Sequence, residues 1–146
     1  MRLAVFQPDI AAKLGAMVRL CACLDVPMDV IEPCGFAFSV KALRRAAMDY
    51  GELADVTRWD DWNAFEAARS GRLVLLTTSG AVSHELSVYR PDDVLLVGRE
   101  SAGAPPEVHQ AADLRVRIDM APGARSLNVG MAAAIVLAEA RRQLKV

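Results

Sequence analysis

The chain has 146 residues, with 53% hydrophobic and 24% charged residues and a formal net charge of −1. That length suits one domain, 1–146, with a core of its own, and the near-neutral balance excludes a polycationic protein, so any nucleic-acid contact must use a local basic patch. No apolar run reaches the ~18 residues of a membrane span, and the apolar start Met1-Arg2-Leu3-Ala4-Val5-Phe6 is too short for a signal peptide, so a cytoplasmic protein is expected.

Leu3–Phe6 reads as the first strand, and Pro8 and Gly15 punctuate the segment after it. Leu14, Met17, Val18, Cys21 and Leu24 recur at helical spacing. Met28–Ile31 is a short strand closed by Pro33 and Gly35, and Val40–Met48 is a helix carrying Lys41, Arg44 and Arg45. Val56 marks another short strand. Asp60–Ser70 reads as a helix with acidic residues at its start, which suits the helix dipole, and Gly71 as its C-cap.

Leu73–Leu76 and Val94–Val97 are continuous apolar runs, as expected of strands covered on both faces of a parallel sheet. Leu114–Ile118 is a further strand. Strands alternating with helices predict an α/β fold, a parallel sheet flanked by helices with right-handed crossovers. The last helix, from Leu127 through Ala138, has almost no polar face. A helix apolar all round must be covered all round, which predicts a second subunit on its outer side.

The chain holds Cys21, Cys23 and Cys34, an odd number without a CxxC pair, so a disulfide framework is not expected and the thiols read as small core residues. His84 and His109 lack metal-ligand spacing, so no metal site is expected. The Gly98–Pro105 segment lacks the Gly-Lys-Ser/Thr ending of a Walker loop, and Gln7–Gly15 lacks the glycines of a dinucleotide fingerprint. No Ser/His/Asp set or G-x-S-x-G elbow is present. Asp60-Asp61 and Asp92-Asp93 read as a helix start and a solvated turn.

Two polar, glycine-bearing loops remain, each at a strand end: Gly98-Arg99-Glu100-Ser101-Ala102-Gly103-Ala104-Pro105 and Arg125-Ser126-Leu127-Asn128-Val129-Gly130-Met131-Ala132. With Gln7-Pro8-Asp9-Ile10, Arg19-Leu20-Cys21-Ala22, Ile31-Glu32-Pro33-Cys34-Gly35-Phe36 and Leu43-Arg44-Arg45-Ala46 before Asp49-Tyr50, they stand in a specific order over nearly the whole chain. In that order they resemble the SPOUT superfamily of methyltransferases, and more narrowly its stand-alone tRNA wobble-nucleotide ribose 2′-O-methyltransferases.

The resemblance implies a deep C-terminal trefoil knot over roughly 72–146, a homodimer, and S-adenosylmethionine held by Leu76, Gly98, Ile118 and Ser126. It implies Arg19, Glu100 and Asn128 as catalytic residues and tRNA, through its anticodon stem-loop, as partner, with leucine tRNAs the expected substrates. An arginine with a pKa above ~12 is a poor proton acceptor at neutral pH, so Arg19 is read as a donor to developing alkoxide, fixed by Glu100 and Asn128. Lys41, Arg44 and Arg45 are read as contacts to the anticodon-loop backbone.

The chain departs from the family at Lys13-Leu14-Gly15-Ala16, where Asn-Thr-Gly-Asn is usual, and at Met131 and Leu137. Other readings stay open on these residues: transfer to another tRNA or ribosomal RNA site, a knotted RNA-binding protein without transfer, or a flavodoxin-like binding module.

Overall fold

The computed structural model describes residues 1–47, 50 and 54–146, and of Val40, Arg44 and Ala46 the backbone alone. Seven parallel strands form one sheet: β1 (Arg2–Phe6), β2 (Met28–Ile31), β3 (Val56–Trp59), β4 (Leu73–Leu76), β5 (Val82–Ser83), β6 (Val94–Val97) and β7 (Leu114–Arg117). Their order across the sheet is β3-β2-β1-β6-β4-β7-β5. The helices are α1 (Ala11–Leu24), α2 (Val40–Ala46), α3 (Trp62–Ala68), α4 (Pro106–Ala111) and α5 (Val129–Leu144).

The period of two in a strand sorts side chains between two cores. Leu3, Val5, Val74, Leu95 and Val97 face one layer with Leu14, Met17 and Val18 of α1 and Ala133, Val136 and Leu137 of α5. Ala4, Phe6, Leu73, Leu75, Val94 and Leu96 face the other, with Phe65 of α3 and Val108 of α4. Both faces are therefore covered, which explains why β4 and β6 read as unbroken apolar runs. Trp62 closes the second layer, its ring edge-on to Phe6 at 5.8 Å. Burying each central leucine contributes about 1.5–3 kcal/mol.

The N-terminal ends of the strands are tied by ion pairs. Arg2 meets Asp29 at 2.7 Å, and Trp59 donates to the same carboxylate at 2.9 Å. Arg72 meets the fully buried Asp93 at 2.8 Å. The C-terminal ends carry the loops. The chain builds outward through β1, β2 and β3, then crosses to β4 on the other side and returns to insert β6 between β1 and β4. The sheet thus reverses its winding beside β6, and such a reversal leaves a crevice outside the carboxyl ends of the strands.

Several boundaries differ from the sequence reading. The helix expected over Asp60–Ser70 is Trp62–Ala68, because Asp61 Oδ1 accepts from Ala64 N at 2.7 Å and caps it, while Arg69 is already extended. Gly71 stands against the Asp92 carbonyl and is not the C-cap. The helix expected over Val40–Met48 ends at Ala46, with Met48 and the Asp49 of the family-like stretch outside the described residues. β5, the short 3-10 turn His84–Leu86 and α4 were not legible. Cys21 is core as expected, but Cys23 is exposed, since residues two apart on a helix point to different sides, and Cys34, in the loop after β2, is half-buried. Among the described residues no helix is long and apolar enough to cross a membrane.

Candidate active site

A cavity of about 570 Å³ lies at the carboxyl ends of β4, β6 and β7, within the range of small-molecule sites. Each wall is set by the local chain. Leu76 and Thr77 leave β4, Val97 and Gly98 leave β6, and Ile118 and Met120 lie just past β7. Lys13 of α1 and Asn128, Val129 and Ala132 at the start of α5 close the remaining side. Apolar strand ends and open main chain alternate with a few polar groups.

The loop after β6 is tightly made. Arg99 N donates to Gly103 O at 3.1 Å and Gly103 N to Arg99 O at 2.9 Å, which pinches off Glu100-Ser101-Ala102. A Cβ on Gly98 would stand 2.4 Å from the Gly103 carbonyl carbon and 2.5 Å from Ala104 N. Glycine is therefore required at Gly98 by the loop's own backbone, while Gly103 supplies a positive φ of 66°. The Arg99 guanidinium stacks on Phe6, 5.5 Å from the ring centroid, and donates to Gln7 Oε1, so this loop is fixed to the end of β1.

Glu100 bends the same way. Its Oε2 accepts from Asp9 N at 3.1 Å, and Ser101 Oγ donates to Asp9 Oδ2. The neighbouring Glu100 carboxyl and the Ser101 hydroxyl hold Asp9 down at about 2, whereas burial first, and Asp9 second, push Glu100 up. Nearby Cys34 is pushed up to about 11, chiefly by burial. On the opposite wall Asn128 Oδ1 accepts from Gly130 N at 2.9 Å and Met131 N at 3.3 Å, capping α5.

Leu76, Gly98, Ile118, Ser126, Glu100 and Asn128 all line this one cavity. Arg19 does not. It stands on the exposed side of α1, its guanidinium 4.9 Å from the Tyr50 ring centroid, and the hydrogen bonds of Glu100 and Asn128 are made to Asp9 and to α5. Lys41 and Arg45 are exposed on α2, which packs beside α1, and the Arg44 side chain lies outside the described residues. Thr77, Met120, Arg99 and Asp9 were missed as site residues. For Thr77, Arg99 and Met120 the available signal was a position within two residues of a predicted strand's end. Among the described residues no three His, Cys, Asp or Glu side chains gather as metal ligands.

A parallel sheet with a loop-built cavity at its winding reversal defines an α/β protein that takes a small organic ligand at the carboxyl ends of its strands. More narrowly, the chain belongs to the SpoU rRNA Methylase family, whose model matches residues 1–138. It is 50% identical over 145 residues to a tRNA (cytidine(34)-2′-O)-methyltransferase of Beijerinckia indica subsp. indica, covering 97% of this chain and 91% of that one. A solved structure described as "Structural insights into the 2-OH methylation of C/U34 on tRNA" superposes with a TM-score of 0.92 at 36% identity, covering 99% of this chain and 95% of the other. An AdoMet-bound rRNA methyltransferase from Sinorhizobium meliloti superposes with a TM-score of 0.86 at 28% identity, covering 98% of this chain and 56% of that one.

Proposed function

We propose that this protein transfers a methyl group from S-adenosylmethionine to the ribose 2′-hydroxyl of the wobble nucleotide of tRNA, as its relatives named for nucleotide 34 do. The observation that carries this reading is the convergence of Leu76, Gly98, Ile118, Ser126, Glu100 and Asn128 on one cavity. Their chemistry fits the donor. Leu76, Ile118 and Met120 offer apolar contact to adenine, and Gly98 and Ser126 offer main chain and hydroxyl to its polar edges. When bound, S-adenosylmethionine supplies an electrophilic methyl group.

The residues of the chain then position and polarise. Holding two reactants in line is worth up to ~7–11 kcal/mol. The half-buried Lys13 and the Glu100 loop border the mouth where a ribose enters. Arg19 donates to the oxygen as it loses its proton. Its place outside the cavity supports reading it as a residue that acts across a homodimer. On α1, Ala12, Ala16, Arg19 and Cys23 form an exposed stripe at helical spacing. Beside it, on and just before α5, Leu127, Met131 and Ile135 are 39%, 60% and 38% exposed. A second copy seated there covers the apolar side chains and brings Arg19 into the interface.

The same reading includes the knot. The 77–81 connection spans β7 on its way to β5, so close that a Cβ on Gly80 would stand 2.4 Å from the Val116 carbonyl carbon. That crossing supports a threaded chain over 72–146 within a single domain, 1–146. Lys41, Arg44 and Arg45 meet the anticodon-loop backbone, leucine tRNAs are the substrates, and the protein works in the cytoplasm.

The test uses purified protein, methyl-labelled S-adenosylmethionine and tRNA from cells lacking the gene, with the label located by mass spectrometry. A 2′-O-methyl group on the wobble nucleotide is expected, and Arg19→Ala abolishes it while cofactor binding survives. Label at another RNA site, or none despite cofactor binding, overturns the substrate reading. Near-normal turnover in the Arg19 variant overturns that role.

A further inference from the structure

Resting on that reading, we propose that Asp9 is a positioning residue: it shares one proton with Glu100, and this carboxyl clasp holds the cofactor loop shut against the start of α1. Asp9 lies in the connection between β1 and α1, and Glu100 in the loop after β6. Asp9 N donates to Glu100 Oε2 at 3.1 Å, and Ser101 Oγ donates to Asp9 Oδ2. That leaves one oxygen on each carboxyl. Asp9 Oδ1 and Glu100 Oε1 are both buried, and among the described residues neither atom has a hydrogen-bond partner.

Two buried carboxylate oxygens without donors are costly, and two negative charges side by side repel. A single proton between them removes both penalties. Burial raises the affinity of Glu100 for that proton, and the bond from Glu100 keeps Asp9 ionised. The chain around the clasp is close-fitting. Gly35 N donates to Pro8 O at 2.9 Å, and a Cβ on Gly35 would stand 2.8 Å from Asp9 Cβ. The other titratable and charged groups facing this junction are Arg99, engaged by Gln7 and Phe6; Lys13 across the cavity; and Cys34, with Glu32 and Arg58 behind it.

The clasp acts on the cofactor through the loop. Gly98, Glu100, Ala102 and Gly103 of that loop line the cavity. The sign is set by Glu100, whose proton affinity is raised in the folded protein. The clasp is complete while Glu100 is protonated and is lost as pH rises through its titration.

S-adenosylmethionine binding is measured by calorimetry between about pH 5 and 9 on the full-length wild type, Asp9→Asn, Asp9→Ala and Glu100→Gln. In the wild type, affinity falls with rising pH above the Glu100 titration, approaching about tenfold per unit for one linked proton. An amide in Asp9→Asn or Glu100→Gln donates to the remaining carboxylate without a titrating proton, so both pH profiles flatten, and in Asp9→Asn, at a position that does not line the cavity, affinity stays near the wild-type acid value. Asp9→Ala binds more weakly at acid pH. A flat wild-type profile, or amide variants that track the wild-type slope, overturns the clasp. Because the readout is cofactor binding alone, failure to methylate the wobble nucleotide bears on the substrate reading and not on this one.

Discussion

Gly98→Ala is the sharpest perturbation of the cavity. The added carbon would stand 2.4 Å from the Gly103 carbonyl carbon, 2.5 Å from Ala104 N and 2.9 Å from Gly103 Cα. Carbon atoms rest at about 3.5–4.0 Å, so the facing strand of the loop must retreat by roughly 1 Å. That movement is resisted by backbone on both sides, since Arg99 and Gly103 exchange bonds of 3.1 and 2.9 Å. Overpacking costs about 1–3 kcal/mol, and losing the two bonds a further ~0.5–1.5 kcal/mol each. The sum, roughly 2–6 kcal/mol, lowers Tm by on the order of 10 °C for a chain of this size. Gly103→Ala is the control. Its Cβ meets nothing within 4 Å, and only the positive φ of 66° opposes it, a cost of about 1–2 kcal/mol. Thermal unfolding and cofactor titration of both variants decide the matter. Gly98→Ala melts lower and loses cofactor affinity, whereas Gly103→Ala keeps most of both. Equal melting points, or unimpaired binding by Gly98→Ala, would refute the packing explanation.

Asn128→Ala removes the acceptor for Gly130 N and Met131 N and lowers stability by about 1 kcal/mol, while Asn128→Ser restores it; chemical denaturation measures both, and a transfer defect that persists in the serine variant reports the catalytic role. Iodoacetamide at neutral pH alkylates exposed Cys23, while Cys21, buried and pushed up to about 12, reacts only in denaturant; peptide mass spectrometry distinguishes them. Lys41→Ala and Arg45→Ala each reduce the slope of log affinity for tRNA against log salt by about 0.7 if each meets one phosphate, and an unchanged slope removes that residue from the RNA surface.

The strands were legible because their signal is local. Met28–Ile31, Leu73–Leu76 and Val94–Val97 stand where the apolar runs put them. Leu76, Gly98, Ile118 and Ser126 came from the resemblance alone, and they line one cavity because the loops that carry them adjoin those runs. What escaped depended on distant chain. Asp9 lies in the Gln7–Ile10 segment, but its bond to Glu100 spans 91 positions. That Gly98 must be glycine because Gly103 and Ala104 pack against it was hidden as well, since that contact exists only once the loop has folded back. The placement of Arg19 outside the cavity was equally hidden, because a helical stripe shows spacing but not which neighbour faces it. Short β5, with two residues, has too little length for any period to register.

The two ends of the same strands do different work, and this explains why a tightly packed sheet can carry an adjustable site. At the amino ends, Asp29 and Asp93 are buried and each is bound by an arginine, so separating the strands there would strand a charge at about 3–5 kcal/mol. At the carboxyl ends no such pair joins β4, β6 and β7 directly among the described residues. The loops there are held by main-chain bonds, a cap on α5 and the bond from Asp9 N to the Glu100 carboxyl. The neutral bonds among these are worth about 0.5–1.5 kcal/mol each and the bond to a carboxylate about 1.5–3 kcal/mol, individually less than the buried ion pairs at the opposite end. The winding reversal beside β6 places that more weakly tied edge where three loops meet around one cavity. Because the strands are anchored at the opposite end, rearranging those loops leaves their register intact.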